Sequence, residues 1–255
     1  MLFQPGKGVF LGIVLVLAAG GLWPEEANTG PFAALNSAQI VEQMQLHNLA
    51  RTEGLKQYKA LRHYSVVYKG YSATIAARMD VEVNFDASSG KSFQIVSQSG
   101  SKFLMDNVLK RAVDSEEEAS RDQGATALTE ANYKFQLLGS ESVVGRPAYI
   151  LDVDPLTPSK FLYRGKIWVD AADFALVKIE AQPAKNPSFW IGRTLIRQSF
   201  AKTDSFWLPE QNQSETSVRI GGTALLTIDY GRYQVVPDAA IQDAGAPAAT
   251  AATAE

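Results

Sequence analysis

The fold of this chain is decided by residues 161–182, which read FLYRGKIWVDAADFALVKIEAQ. Two β-rich runs, Phe161–Val169 and Phe174–Gln182, flank the short stretch Asp170–Asp173. Asp is favoured in turns because its side chain accepts hydrogen bonds from nearby backbone amides. A connection this short favours antiparallel pairing of neighbouring strands over a parallel crossover. The stretch therefore predicts a β-hairpin.

Runs of the same kind extend this hairpin in both directions along the chain. The further predicted strands are His63–Tyr71, Thr74–Phe85, Lys91–Gln98, Tyr133–Val143, Pro147–Val153, Ile191–Ala201, Phe206–Val218 and Thr223–Val235. About ten strands make a sheet large enough to curl. The predicted fold class is mainly β with helices (α+β): a strongly curved antiparallel sheet or unclosed β-barrel with helices covering the concave face.

Two segments carry apolar residues at helical spacing. The first begins at Asn36, which can form a capping box with Gln39, and ends or bends at Gly54. The second, Phe103–Arg121, has apolar residues on one side and the acidic run Asp114–Glu118 on the other. The acidic run is typical of a solvated helix face, and a cation or partner site is the alternative.

The N-terminus has the layout of a secretory signal. Lys7 precedes the apolar run Val9–Ala19, and small residues follow it up to Gly21. An uncleaved anchor is the alternative, although the run is short against the roughly 20 residues of a spanning helix. We therefore expect a cleavable signal peptide over residues 1–21, export from the cytoplasm, an extended leader over 22–35, one domain over 36–236 and a disordered tail over 237–255.

The bulk composition narrows the function classes. The formal net charge is −3, and loss of Lys7 with the signal would make it −4, so the chain lacks the clustered positive charge that nucleic acids require. It contains no cysteine, which excludes a disulfide framework, an N-terminal lipid on cysteine, and thiol chemistry. The core must therefore hold the fold unaided.

No catalytic, metal or cofactor motif appears in the sequence, so we expect no enzyme activity, no metal and no cofactor. The two histidines, His47 and His63, have no recognisable partners and are interpreted as structural. Pairs of carboxylates such as Asp170 with Asp173 could serve a glycosidase-like hydrolase. Their position at a predicted turn favours local backbone hydrogen bonding instead.

A curved sheet that holds helices in its concavity can enclose an apolar space for a lipid chain. The loop Gln182–Trp190 carries two prolines and two adjacent aromatic residues where a tight turn would suffice. Such a loop can rim a pocket, or its aromatic residues can begin the next strand and enter the core. The candidate lid or pocket-rim residues are Phe103, Leu104, Val108, Phe189 and Trp190.

The hairpin of residues 161–180, together with Phe206–Glu210 and the closing strand Leu225–Tyr230, resembles the outer-membrane lipoprotein-sorting (LolA-like) superfamily. The resemblance covers roughly residues 36–236. It implies a periplasmic, non-enzymatic carrier or binding protein whose partners are lipids or lipoprotein acyl chains, with only transient membrane contact. The alternative that it implies is an envelope-stress sensor or scaffold that acts through contacts with an envelope protein.

Overall fold

The computed structural model describes residues 35–121, 123–186, 191–219 and 221–237. Within these ranges the strands form one antiparallel sheet that curves without closing, with helices against it. The predicted fold class is therefore confirmed. The predicted signal peptide, all but the last residue of the leader and all but the first residue of the tail lie outside the described residues.

In chain order, the secondary structure consists of one long helix, a β-meander, a helical segment and a second, longer meander. The helices are α1 (Ser37–Gly54), α2 (Lys102–Leu104), α3 (Lys110–Arg121) and α4 (Gln123–Thr126), with a π-helical turn (Met105–Leu109) joining α2 to α3. The strands are β1 (Leu55–Lys69), β2 (Thr74–Asp86), β3 (Gly90–Gly100), β4 (Tyr133–Val143), β5 (Arg146–Pro155), β6 (Tyr163–Asp170), β7 (Leu176–Pro183), β8 (Ile191–Thr203), β9 (Phe206–Val218), β10 (Thr223–Tyr230) and β11 (Gln234–Pro237). No helix in the described ranges is long and apolar enough to span a bilayer.

The sheet has the strand order β3-β2-β1-β10-β9-β8-β7-β6-β5-β4, and β11 pairs with the start of β1. Every pairing between neighbours is antiparallel. The two edges of the sheet are therefore β3 and β4, which follow each other in the chain. The segment between them, residues 101–132, carries α2 to α4 and runs from one edge to the other.

Helix α1 begins where the sequence predicts. The backbone N–H of Gln39 donates to the Asn36 side chain over 2.9 Å, and the backbone N–H of Asn36 donates to the Gln39 side chain over 3.0 Å. This reciprocal pair is the predicted capping box and satisfies two amide groups that lack a helical partner. The helix ends at Gly54, and β1 starts at the next residue with no connecting loop.

Most strand boundaries differ from the prediction by one to three residues, and two strands differ by more. Strand β1 begins at Leu55 instead of His63, because alternate residues from Tyr58 to Val66 are buried and the period of two already holds there. The last predicted strand is divided into β10 and β11, both of which pair with β1. The backbone N–H of Gly231 at the division donates to the Leu61 carbonyl over 3.0 Å.

The concave face of the sheet carries two separate apolar cores. Helix α1 packs on strands β4 to β7 and forms the first core. The segment from α2 to α3 packs on β1, β2 and β10 and forms the second core. Fully buried members of the first core include Ile40, Met44, Leu151, Val153 and Ile167, and those of the second include Val66, Val81, Val83 and Leu109.

A strip of polar side chains on β8 and β9 separates the two cores. Gln198 lies opposite Ile179 of the first core, and Asn212 lies opposite Ile228 of the second, which places the strip on the concave face. The Asn212 amide donates to Gln198 over 3.3 Å. The other members of this polar strip are Ser214, Thr194 and Thr216. The concave face is thus apolar at both sides and largely polar in the middle, although Ile196 lies between Thr194 and Gln198 on the same face.

Candidate functional site

The helical segment that runs between the two sheet edges covers the second core. Its buried side chains are Leu104, Met105, Leu109 and Val113, each at most 8% exposed. The segment contains a π-helical turn, a rare element that is found frequently at functional sites. We call the first part of this segment, residues 101–121, the cover.

The predicted lid residues occupy different environments in the cover. Phe103 is 66% exposed, whereas Leu104 is 3% exposed and belongs to the core. Val108 is partly buried against the second core. Phe189 and Trp190 lie outside the described residues. A lid or rim role for these five side chains stays a prediction.

Sequence reasoning missed the charged group that lies beneath the cover. Arg62 on β1 points into the second core with 1% of its surface exposed. Its Nη1 donates to Glu116 Oε2 of α3 over 2.6 Å, and its guanidinium lies 4.6 Å from the Tyr230 ring centroid. Every second residue from Tyr58 to Val66 is buried, so this period of two would have placed Arg62 on the buried face. The predicted strand began only at His63 and therefore left Arg62 out.

Glu116 is the negative centre of this buried cluster. Its second oxygen accepts a hydrogen bond from Lys91 Nζ of β3 over 3.1 Å. Burial acts to raise the pKa of the Glu116 carboxyl, but the charges of Lys91 and Arg62 outweigh it, so this pKa lies below its ordinary value. Burial acts to lower the pKa of Arg62 and Glu116 acts to raise it, and the net pKa lies above the ordinary value. Both groups are therefore charged at neutral pH.

Three buried donors beside Glu116 lack an acceptor of good hydrogen-bond geometry within the described part of the chain. They are Arg62 Nε and the hydroxyls of Tyr64 and Tyr233, although the Tyr64 hydroxyl lies close enough to the Arg62 guanidinium to help raise the pKa of Arg62. Burial raises the pKa of both tyrosines, so both hydroxyls keep their protons at neutral pH. A buried donor without an acceptor costs about 1–3 kcal/mol. The side of this cluster that lies on the sheet thus offers more hydrogen-bond donors than Glu116 can accept.

The far end of the cover is fastened by charge. Among the described residues, the core contacts of α3 end at Val113. Beyond it, Glu116 binds Arg62 and Lys91, and Glu118 binds Lys160 Nζ over 2.8 Å in the connection between β5 and β6. The Glu118 pair is about half exposed and contributes at most about 1 kcal/mol.

The hairpin that decides the fold carries a second charged network at its turn. Asp170 is 1% exposed and accepts from Arg146 Nε at 2.5 Å, from Arg146 Nη2 at 2.8 Å and from the backbone amides of Ala172 and Asp173. Asp173 accepts from Lys202 Nζ and Trp207 Nε1. The predicted preference for local backbone hydrogen bonds is confirmed for Asp170, whereas the Asp173 carboxylate accepts from side chains that are distant in sequence and so ties the turn to β8 and β9.

An open groove of about 500 Å³ lies on the opposite, outer face of the sheet. Its floor includes Val177 and Trp207, which belong to a third apolar cluster with Ala148 and Trp168. Arg197 and Gln213, opposite each other on β8 and β9, lie along its side. The groove thus lies mainly over the third cluster, although Ile179 and Phe200 of the first core also line it.

The two histidines are far from forming a shared site. The His47 ring on α1 lies 5.4 Å from the Phe174 ring, and His63 Nδ1 lies 2.7 Å from Asp80 on the outer face of the sheet. Within the described ranges, no group of three or more His, Asp or Glu side chains is arranged to hold a metal ion.

Comparison with known proteins gives matches among solved structures. No family model and no curated protein matches the chain. Similar structures include a DUF1329 family protein from Desulfovibrio piger (11% identity, TM-score 0.42, 78% of this chain and 93% of that chain). They also include a putative outer membrane lipoprotein-sorting protein domain from Vibrio parahaemolyticus (14%, 0.39, 78% and 93%) and a LolA superfamily protein from Nitrosomonas europaea (14%, 0.36, 80% and 94%). These matches are similarities at low sequence identity, with TM-scores of at most 0.42, and they do not establish a family for this chain.

Proposed function

We propose that this protein is a non-enzymatic periplasmic carrier or binding protein for a lipid or for the acyl chains of a lipidated protein. The observation that carries the proposal is the cover: it lies over one apolar core of the concave face, and its far end is fastened by ion pairs. A cargo chain enters by displacing the cover from the second core.

The energetics fit an exchange of one apolar occupant for another. At about 0.8 kcal/mol per buried CH₂, a sixteen-carbon chain gains roughly 12 kcal/mol by leaving water. The cover fills the second core with four buried side chains in the state described here. Cargo binding must therefore offset the loss of these contacts, which favours reversible binding over permanent storage.

The first test asks whether the protein holds lipid. Protein purified from its own envelope is extracted with organic solvent, and the extract is analysed by mass spectrometry. We expect at least one acyl-chain lipid in stoichiometric amount, exchangeable for an added fluorescent fatty acid. Protein that carries no lipid and takes up none would contradict the carrier function.

The second test follows the cover directly, and the absence of cysteine makes it simple. A polarity-sensitive dye is attached to Phe103→Cys in the cover, where the native side chain is 66% exposed, and to Tyr71→Cys as a matched control, where it is 92% exposed. We expect added lipid to shift the emission of the first conjugate and leave the second unchanged. Equal responses at both positions would show that the cover does not move on binding.

A specific observation favours one alternative, an envelope scaffold that acts through protein contacts. The edge strand β3 has one unpaired side and carries the exposed residues Ile95 (43%) and Val96 (60%). Unpaired edges with apolar side chains are common sites of contact with a second chain. A photo-crosslinking residue at Val96 would capture one defined envelope protein under this alternative, whereas the same residue at Tyr71 would not.

A further inference from the structure

The position of Arg62 needs an explanation beyond the stability of the fold. Burial of a guanidinium in an apolar core is costly unless all of its donors are paired. Glu116 occupies one of its terminal nitrogens, and Nε has no acceptor within the described residues. Replacement of a buried ion pair by apolar residues often leaves stability unchanged or raises it, so stability alone gives weak reason for this arrangement.

The partners of Arg62 divide into a fixed group and a movable one. Arg62 and Tyr64 lie on β1, Lys91 lies on β3 and Tyr233 directly precedes β11, so none of the four belongs to the cover. Glu116 belongs to the cover. Displacement of the cover would remove the only carboxylate paired with Arg62 in the described residues and leave the donors in place.

We propose that Arg62, Tyr64 and Tyr233 recognise the anionic headgroup, a carboxylate or a phosphate, of an amphiphile whose chain occupies the second core. The inference rests on the proposed function and names its ligand class. The headgroup takes the place of the Glu116 carboxylate and also accepts from the donors that Glu116 leaves unpaired. Guanidinium groups suit this role because their planar fork matches both carboxylate and phosphate oxygens.

The consequence is selectivity by charge. A neutral amphiphile that displaced the cover would leave the buried Arg62 without a counter-ion. A charged hydrogen bond that is lost on binding lowers affinity roughly tenfold to a hundredfold. We therefore expect an anionic amphiphile to bind at least about tenfold more tightly than a neutral one with the same chain.

The test compares dodecanoate, dodecyl phosphate and dodecanol as competitors of a fluorescent fatty acid on the full chain. Acetate and inorganic phosphate are included to distinguish a lipid headgroup from a free anion. We expect both anionic amphiphiles to bind at least about tenfold more tightly than dodecanol, and the two free anions not to compete at millimolar concentration.

Two variants test whether the preference for anionic amphiphiles depends on Arg62 and Glu116. Arg62→Gln should bring the anionic and neutral affinities within about twofold of each other, because the positive centre is gone. Glu116→Gln should raise the ratio of anionic to neutral affinity, because the competing carboxylate is gone. The matched control is Glu82→Gln, which removes an ion pair with Lys59 on the outer face and should leave the ratio unchanged. If Arg62→Gln does not fold, Glu116→Gln alone tests the proposal. It is expected to raise the ratio of anionic to neutral affinity, whereas general damage to the fold would weaken the binding of both amphiphiles.

The outcomes separate the inference from the function on which it rests. Equal binding of dodecanoate and dodecanol to the natural protein would overturn the anion site and leave the carrier function standing. Acetate that competes as well as dodecanoate would also overturn it, because no chain would then be recognised. Binding of none of the three amphiphiles would overturn the carrier function itself.

Discussion

Replacement of Asp170 by asparagine tests the network at the hairpin turn. The substitution keeps the shape of the side chain and removes its charge. An asparagine oxygen can still accept from the amides of Ala172 and Asp173, which donate to Asp170 over 3.0 and 2.7 Å. Its NH₂ group would then face Arg146 Nε, so that two donors meet where a charged hydrogen bond of 2.5 Å now lies.

The expected loss of stability follows from the exposure of the partners. Breaking a fully buried ion pair costs about 3–5 kcal/mol, because one charge stays buried without a partner. Arg146 is 42% exposed and can bind water after the change, so the loss is that of a charged hydrogen bond, about 1.5–3 kcal/mol. The urea midpoint should fall by about 1 M with an unchanged slope.

The assay is equilibrium urea unfolding followed by circular dichroism, and the chain offers a matched control. Asp154 accepts from Arg164 Nε over the same 2.5 Å, but both side chains are more than half exposed. Asp154→Asn should therefore cost at most about 1 kcal/mol. The reasoning is refuted if the two variants lose the same stability, or if Asp170→Asn unfolds at the midpoint of the natural protein.

The pH dependence gives an independent check on Asp170. Burial acts to raise the pKa of this carboxyl, but the hydrogen bonds from Arg146 and from the two amides outweigh it, so the pKa lies below its ordinary value of 3.8. The stabilisation is thus complete above pH 3.8 and is lost as the pH falls through the lower, folded pKa. The difference in stability between the natural protein and Asp170→Asn should shrink over that range.

Three further predictions concern the cover and the second core. Leu109→Ala should lower the free energy of unfolding by about 2–5 kcal/mol, because Leu109 is 0% exposed; a loss below about 1 kcal/mol in urea unfolding would show that the core is loosely packed there. A double-mutant cycle on Glu118 and Lys160 should give a coupling of at most about 1 kcal/mol that falls with added salt, and a larger coupling that resists salt would contradict the exposed pair. Amide hydrogens of α3 should exchange faster than those of α1, as measured by mass spectrometry, and slower exchange in α3 would mean that the charges hold the cover more firmly than a core does.

Local signals predicted most of the fold. The capping box at Asn36 and the strand Phe206–Val218 are found with the predicted boundaries, because both depend on residues close together in sequence. The pairing of β1 with β10 joins residues more than a hundred positions apart, and no local pattern specifies it. The pairing of strands that follow one another in the chain was therefore predictable. The pairing of β1 with β10, which joins the two meanders into one sheet, was not.

The candidate site was harder to predict because its central residue contradicts its local pattern. A charged residue within a strand ordinarily points to solvent, and the partner that Arg62 meets in the core, Glu116, comes from a distant helix. The polar strip of β8 and β9 is concealed in the same way, since polar residues on one strand face normally indicate the solvated side. Both features arise from tertiary contacts that periodicity cannot represent.

The two halves of the concave face differ in how firmly their helices are held, and this difference favours the second core as the site of the proposed cargo. Helix α1 passes into β1 without a loop, and its Arg51 donates from Nη1 to the Asp173 carbonyl over 2.8 Å and from Nη2 to the Phe174 carbonyl over 3.2 Å. Movement of α1 would break the start of a central strand and the turn of the hairpin at once. The cover follows β3 without a loop at its near end, and at its far end its attachments among the described residues are ion pairs. Because the polar strip separates the cores, displacement of the cover would open the second core and leave the first intact, so the protein could admit a chain without unfolding.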